Sequence, residues 1–296
     1  MVPGKTINWP IVSFFAIYHA LAIVSLFFFS WSGFFTFFVL YFITGCLGIT
    51  MGFHRYFTHR SFKANKFLER LLALSGTLSL QGSVLMWVAH HRMHHAGSDT
   101  ERDPHNIGHG FWYSHIGWMF YSNPEFDDMN KLRKFGRDIT ADPFLMWLCK
   151  PSVMIGMQVV LAAALYYFGG LSVMMWGMFF RTVFLYHSTW LVNSAAHYWG
   201  YKNFEVVGDK AKNNWFVALF AFGEGWHNNH HAYGDSVKAG YRFWEFDVTY
   251  LVIRFCKFLG LASDLKYVMP TINVNTRVLR SRKVKIPSSA LGVSKV

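Results

Sequence analysis

Two pairs of long apolar runs decide most of what this chain can become. Residues 10–29 and 34–53 make the first pair, 152–168 and 171–192 the second. As helix, each run is about long enough to cross a hydrocarbon core of roughly 30 Å. Inside a bilayer the backbone must satisfy its own polar groups, which leaves helices as the form such runs take. Only SWSG (30–33) separates the first pair and Gly169-Gly170 the second, so each pair is expected to be a tight hairpin. A hydrophobic content of 53%, with 15% charged residues, agrees with a membrane protein rather than a soluble core. No A-x-A cleavage pattern separates the first run from the second, so the first reads as a signal anchor.

Charge sets the orientation. The formal net charge is +12, yet neither hairpin turn contains Lys or Arg. By the positive-inside rule the basic regions, which flank the hairpins, are cytoplasmic. The expectation is an all-α integral membrane protein with four transmembrane helices in two hairpins. A cytoplasmic helical cap over 54–150 and 193–276 completes a single domain, 1–276. Residues 277–296 read as a basic, mobile tail lying against anionic lipid. Within the cap, 67–80 reads as an amphipathic helix at the interface and 99–150 as short helices with turns at the prolines. A short apolar helix over 214–222 leads back, and 243–261 makes a capping helix. Arg181, inside the fourth run, is expected to snorkel or pair near the interface. A basic chain can also bind nucleic acid, but no nucleic-acid motif accompanies the charge and no such partner is expected. Cys46, Cys149 and Cys256 are too dispersed for a disulfide framework or zinc site and read as small buried hydrophobes.

The histidines carry the chemistry. HNNHH places His227, His230 and His231 at i, i+3 and i+4, one face of a helix. HHRMHH repeats that spacing with His91, His94 and His95, and FHRYFTH adds His54 and His59. In the expected topology all three boxes lie on one side of the membrane, which a common metal site requires. Eight imidazoles exceed the needs of one ion, and two ions sharing the cluster is the simplest arithmetic. His197 in NSAAHYWG adds a ninth, with Asn193 one helical turn earlier, able to reach a metal directly or through water. No thiolate joins the cluster, which disfavours iron–sulfur or structural zinc. Nitrogen-rich ligation with open positions suits iron that meets O2, whereas zinc performs no redox work. His19, His90, His105, His109, His115 and His187 lie outside the boxes and read as packing, surface or orienting residues. Asp103 and Glu224 are candidate carboxylates for orienting imidazoles.

In their order, GFHRYFTHRSF, HHRMHH with DPHN and FWYSHIGW, TWLVNSAAH and GEGWHNNHH closely resemble the membrane fatty acyl desaturases, in particular the Δ9 (stearoyl-type) branch. The likeness runs from about Gly52 to Trp244. It implies an enzyme that inserts a cis double bond into a saturated acyl chain, using two iron ions and O2 as co-substrate. The implied ligands are His54, His59, His91, His94, His95, His197, His227, His230 and His231, with Asn193 acting through a water. Gln81, Thr189 and Trp190 match the residues that line the family's bent substrate tunnel. No catalytic side chain beyond the metal centre is implied. This suits the chemistry, because a mid-chain CH2–CH2 pair has neither an acidic proton nor a leaving group.

Ala89, Gly82 and the segment MFYSNP (119–124) stand where acyl-CoA enzymes carry polar and basic residues. That favours an acyl group on a membrane lipid over acyl-CoA. The haem-binding stretch HPGG of a fused cytochrome b5 is missing, so electrons are expected from a separate ferredoxin or cytochrome b5. The bacterial inner membrane is the favoured location, with endoplasmic reticulum and plastid membrane as alternatives. Two other functions fit less well. One is a di-iron hydroxylase of alkyl, sterol or carotenoid substrates. The other is a histidine-rich metal transporter or sensor, which would place its ligands within the bilayer.

Overall fold

The computed structural model describes residues 6–268 and 278–279. Among them, three helical stretches are long and apolar enough to cross a membrane: α1 (Trp9–Phe28), α2 (Trp31–Thr58) and a 48-residue stretch, Pro151–Tyr198. Asn8 caps α1, accepting from Ile11 N at 3.3 Å, with Pro10 in the first turn, where its missing N–H costs no bond. Ser30 caps α2 by accepting from Gly33 N at 3.0 Å.

The second stretch does not end at residue 53, where apolarity predicts. It continues to Thr58, with a widened π-helical backbone from Phe42 onward. Residues 48–58 are buried against protein rather than facing lipid, so hydropathy no longer marks the helix end. Gly48 and Gly52 let α3 (Lys66–Thr77) lie directly on α2: a Cβ at Gly48 would stand 2.6 Å from Gly76 N. Phe53, Phe57 and Leu72 meet Leu85 and Val88 of α4 (Val84–Gly97) in the largest core cluster, together with Ile139 and Leu148 of the cap.

As a straight rod, 48 helical residues would extend roughly 72 Å, more than twice a hydrocarbon core. The Pro151–Tyr198 stretch, α5, instead breaks at Gly170, whose φ of 72° and ψ of −170° suit glycine alone. Beyond it the chain turns back, since a Cβ at Gly177 would meet Leu165 Cδ1 at 2.9 Å. This bend lies beside the α1–α2 turn: Ser172 Oγ donates to Phe28 O at 2.6 Å and lies 2.6 Å from Ser30 Oγ. Arg181 does not snorkel, and among the described residues it meets no carboxylate. It is wholly buried, donating to Gly177 O at 3.0 Å and Leu78 O at 3.1 Å, and so fastens α5 to the end of α3.

The cap follows the proline turns, with Pro124 and Pro143 each opening a short helix. Beyond α5 come α6 (Trp215–Phe220), α7 (His227–Ala232) and α8 (Val248–Phe258), the last capped by Asp247. Small strand pairs tie the periphery: Thr6–Ile7 with Tyr121–Ser122, Lys63–Ala64 with Ala262–Ser263, and Glu205–Val206 with Val278–Leu279. Apart from that last strand, the tail expected over 277–296 lies outside the described residues. All three cysteines are free, with Cys46 and Cys256 buried.

Candidate metal centre

Each histidine box sits on or beside a helix end, at the opposite end of the long helices from the Ser30–Ser172 contact. His54 is near the end of α2 and His59 just beyond it, while α4 carries His91, His94 and His95. His197 ends α5, and α7 carries His227, His230 and His231. The two asparagines of HNNHH hold α7 in place. Asn228 Oδ1 accepts from Asn203 N (2.8 Å) and Phe204 N (2.9 Å), and Asn229 Nδ2 donates to Glu245 Oε2 and Ala239 O at 2.8 Å each.

The structure sorts the nine imidazoles into two groups. His54, His59, His91, His95 and His230 form one; His94, His197, His227 and His231 form the other, with ligand atoms within 4.8 Å of one another in each. Both H-x-x-H-H boxes split. In α4 the i, i+4 pair His91/His95 joins the first group and His94 the second. In α7 the i, i+4 pair His227/His231 joins the second and His230 the first.

The atoms that converge are Nε2. In the first group His54–His230 and His95–His91 are 3.1 Å apart and His230–His95 2.9 Å. In the second, His94–His231 is 3.2 Å, His231–His227 3.1 Å and His227–His197 3.0 Å. Metal–imidazole bonds of about 2.1 Å would place neighbouring nitrogens about 3 Å apart, so these spacings fit a bound ion.

In four of the nine, the other ring nitrogen faces a carboxylate. His54 Nδ1 lies 2.8 Å from Glu224 Oε2, His94 Nδ1 2.8 Å from Asp103 Oδ2, His197 Nδ1 3.2 Å from Asp99 Oδ1 and His231 Nδ1 2.5 Å from Asp209 Oδ2. A proton held on Nδ1 leaves the Nε2 lone pair facing the centre. Burial, followed by the neighbouring imidazoles, pushes His59, His91, His95, His227 and His230 well below the ordinary histidine value, so they are neutral donors. Burial works to raise Asp103 and Asp209, but His94 and His231 outweigh it and hold both below the usual carboxylate range. Glu224 is shared with Arg55, whose Nε donates to Oε1 at 3.0 Å. Arg55 also reaches Asp247 Oδ2 at 2.9 Å and Val237 O at 2.8 Å.

Asp103 and Glu224 were legible as candidate carboxylates, whereas Asp99, Asp209 and Arg55 were not. Asp99 lies in the polar cap stretch and Asp209 in the polar stretch before α6, neither at a local spacing from the histidine it faces, and only folding carries them to His197 and His231.

Beside the first group lies a chamber of about 50 Å³, walled by His54, His91, His227, Thr189, Asn193 and apolar residues including Ile49, Leu185 and Val192. Asn193 borders it while its backbone carbonyl accepts from Ser114 Oγ at 2.6 Å. Thr189 is on the wall and Gln81 stands behind it, donating from Nε2 to Thr189 Oγ1 at 2.9 Å. Trp190 is turned away, stacked on Tyr186 and edge-on to Phe15 of α1. Among the other histidines, His90 reaches Phe126 O, His105 packs on His94, and His109 meets Glu101. His19, His187 and His115 form a chain of contacts at 3.1 and 3.0 Å.

The chain matches the family model described as fatty acid desaturase over residues 29–254. It is 47% identical over 262 residues to the sn-1 stearoyl-lipid 9-desaturase of Anabaena variabilis, covering 88% of this chain and 94% of that protein. It is 44% identical over 260 residues to the sn-2 palmitoyl-lipid 9-desaturase of Nostoc sp. (strain 36), covering 88% and 90%. It is also 45% identical over 254 residues to the icosanoyl-CoA 5-desaturase of Limnanthes douglasii, covering 86% of this chain and 70% of that protein.

Proposed function

This chain belongs to the fatty acid desaturase family, and on that premise we propose that it inserts a cis double bond at Δ9 of a saturated acyl chain held in a membrane glycerolipid. It is an oxidoreductase, and the overall reaction takes R–CH2–CH2–R′, O2, two electrons and two protons to R–CH=CH–R′ and two waters. The observation that carries the reading is the convergence of nine imidazoles, most of them buried, in two groups beside an apolar chamber.

His54, His59, His91, His95 and His230 would hold one iron, and His94, His197, His227 and His231 the other, with Asn193 near the chamber acting through a water. Iron, when bound, supplies the O2-dependent oxidising chemistry that an unactivated CH2–CH2 pair demands. The polypeptide does the rest. Glu224, Asp99, Asp103 and Asp209 would keep protons on Nδ1 of His54, His197, His94 and His231 and so aim those four rings. Ile49, Leu185 and Val192 exclude water, and the chamber wall at Thr189, braced by Gln81, fixes the depth at which the chain lies. Because methylenes are chemically alike, that depth decides which bond reacts.

A glycerolipid carrier is supported by the names of the two cyanobacterial relatives and by local structure. Ala89 is a core residue packed with Met93 and Leu132, and Tyr121–Ser122 pairs with Thr6–Ile7, so neither offers a basic mouth for a nucleotide. Four spans in two hairpins, with the fourth beginning at the Gly170 break, would set both turns on one face and the histidines on the cytoplasmic face. Residues 1–276 then act as one domain. A separate ferredoxin or cytochrome b5, both acidic carriers, would suit the basic face as electron donor.

The test is expression in a host whose lipids lack Δ9 unsaturation, followed by chromatography and mass spectrometry of the acyl groups. Products lighter by two mass units, with the double bond located at Δ9 by derivatisation, are expected. Products heavier by sixteen would mean hydroxylation, and product formation by His230→Ala would end the metal-centre reading.

A further inference from the structure

The chamber beside the histidines is small. About 50 Å³ admits a few water-sized groups, far less than an acyl chain long enough to have a mid-chain methylene pair. A larger cavity, about 360 Å³, adjoins it. This groove runs between α1, the second half of α5 and α6, and Ala22, Ile23, Val183, Leu191 and Phe216 contribute to its walls. Ile23 and Phe216 are exposed at its rim, so it opens sideways, where lipid would lie. Exposed Trp215 sits at the start of α6, a residue type that settles at the headgroup boundary. His19 and His187 are the polar exceptions. Their ring nitrogens are engaged with each other, with Phe15 O and with His115, so no free polar group confronts an apolar guest.

Ser188 and Phe220 border both cavities and form the partition between them. Tyr41 of α2 fastens that partition, its hydroxyl reaching Ser188 Oγ at 2.9 Å and the carbonyl of Phe220. Phe220 ends α6 and leads into a strained turn. Phe222 holds a positive φ of 53°, rare for a bulky side chain, and Gly223 follows at 108°. Such a backbone stays in place only while its surroundings hold it there.

We propose that an acyl chain of a membrane glycerolipid enters the chamber laterally from the bilayer along this groove, passing between Ser188 and Phe220. The turn at 220–223 is the gate and the Tyr41 hydroxyl its latch. The proposal rests on the desaturase reading and specifies how that site receives its substrate. Continuity carries it: the groove is apolar, open to the lipid side, and separated from the chamber by two residues.

The test fills the groove without touching the histidines. In the full chain expressed in host membranes, Ala22→Trp or Val183→Trp is expected to lower unsaturated acyl content at least about tenfold, with iron per chain and membrane insertion unchanged. Ile17→Trp, at an exposed position two residues before His19 and on the opposite face of α1, is expected to leave it unchanged. In parallel, the unaltered protein in vesicles of a glycerolipid with a mid-chain diazirine is expected to cross-link at groove residues such as Ala22 or Leu191. Undiminished product from an inserted Ala22→Trp chain, or cross-links confined to other surfaces, would overturn the lateral route. A wild-type chain that makes no unsaturated product would instead overturn the desaturase reading, and the cross-links would still report whether the groove takes an acyl chain.

Discussion

Asp209→Asn is expected to release one iron well before the other. In the structure Asp209 Oδ2 lies 2.5 Å from His231 Nδ1, and the two side chains are 8% and 2% exposed. Oδ1 of the same carboxylate accepts from Ala211 N at 2.7 Å. An asparagine has one acceptor oxygen, so either His231 or Ala211 must face an NH2 group, and the charge that strengthens imidazole donation is gone. Losing a partner of this kind typically weakens metal binding 10–100-fold, about 1.4–2.7 kcal/mol. The short, nearly dry contact places Asp209 at the upper end of that range. The effect belongs to the second group alone, because the carboxylate behind the first is Glu224. The assay is iron per chain, measured by elemental analysis across a chelator titration. The unaltered protein should hold two ions to a given chelator strength, while the variant steps to one at roughly a hundredfold lower concentration. Both ions leaving together, at the chelator strength that strips the unaltered chain, would refute the assignment of Asp209 to His231 and of His231 to a separate ion.

Four further substitutions, one of them a control, test the frame. Gly48→Ala puts a methyl 2.6 Å from the backbone of Ser75 and Gly76, which cannot yield, and should cost about 1–3 kcal/mol. Gly156→Ala, with nothing within 4 Å, should not destabilise; equal melting temperatures in detergent would count against direct α2–α3 packing. Arg55→Met strands Glu224 and Asp247 in a dry interior and should cost roughly 3–5 kcal/mol, read as a fall in melting temperature; an unchanged melt would contradict the buried network. Burial, opposed by Asp103, brings His105 down to about 3, while its unfolded value is about 6.5. The unfolded chain therefore binds the proton first, so stability is full above about 6.5 and is lost as pH falls from there toward 3. A His105→Gln chain should show a flatter acid decline in melting temperature, and an identical decline would remove His105 from that account.

Periodicity and length exposed much of the frame. The apolar runs locate α1, α2 and both halves of α5, and the i, i+3, i+4 spacing locates the histidine faces of α4 and α7. Where local pattern misled, tertiary burial had replaced lipid. Helix α2 runs on past residue 53 because protein, not bilayer, covers His54 to Thr58. Arg181 reads as an interfacial charge, yet carbonyl groups from two elements enclose it. Thr189 and Trp190 look alike as neighbouring tunnel residues, but successive positions on a helix point about 100° apart, so one meets the chamber and the other meets α1.

What the residues determine on their own is local: helices of a given length and nitrogen donors on one face of each. These follow from 3.6-residue geometry and transfer energies, which depend only on near neighbours in the chain. The sharing of nine imidazoles between two groups was decided by tertiary structure alone. So was the match of each carboxylate to its ring, and the two-residue wall between chamber and groove. His54 and His230 are 176 positions apart and Asp99 and His197 nearly a hundred. No local pattern links such pairs; packing against α2 and α5 brings them within hydrogen-bond distance.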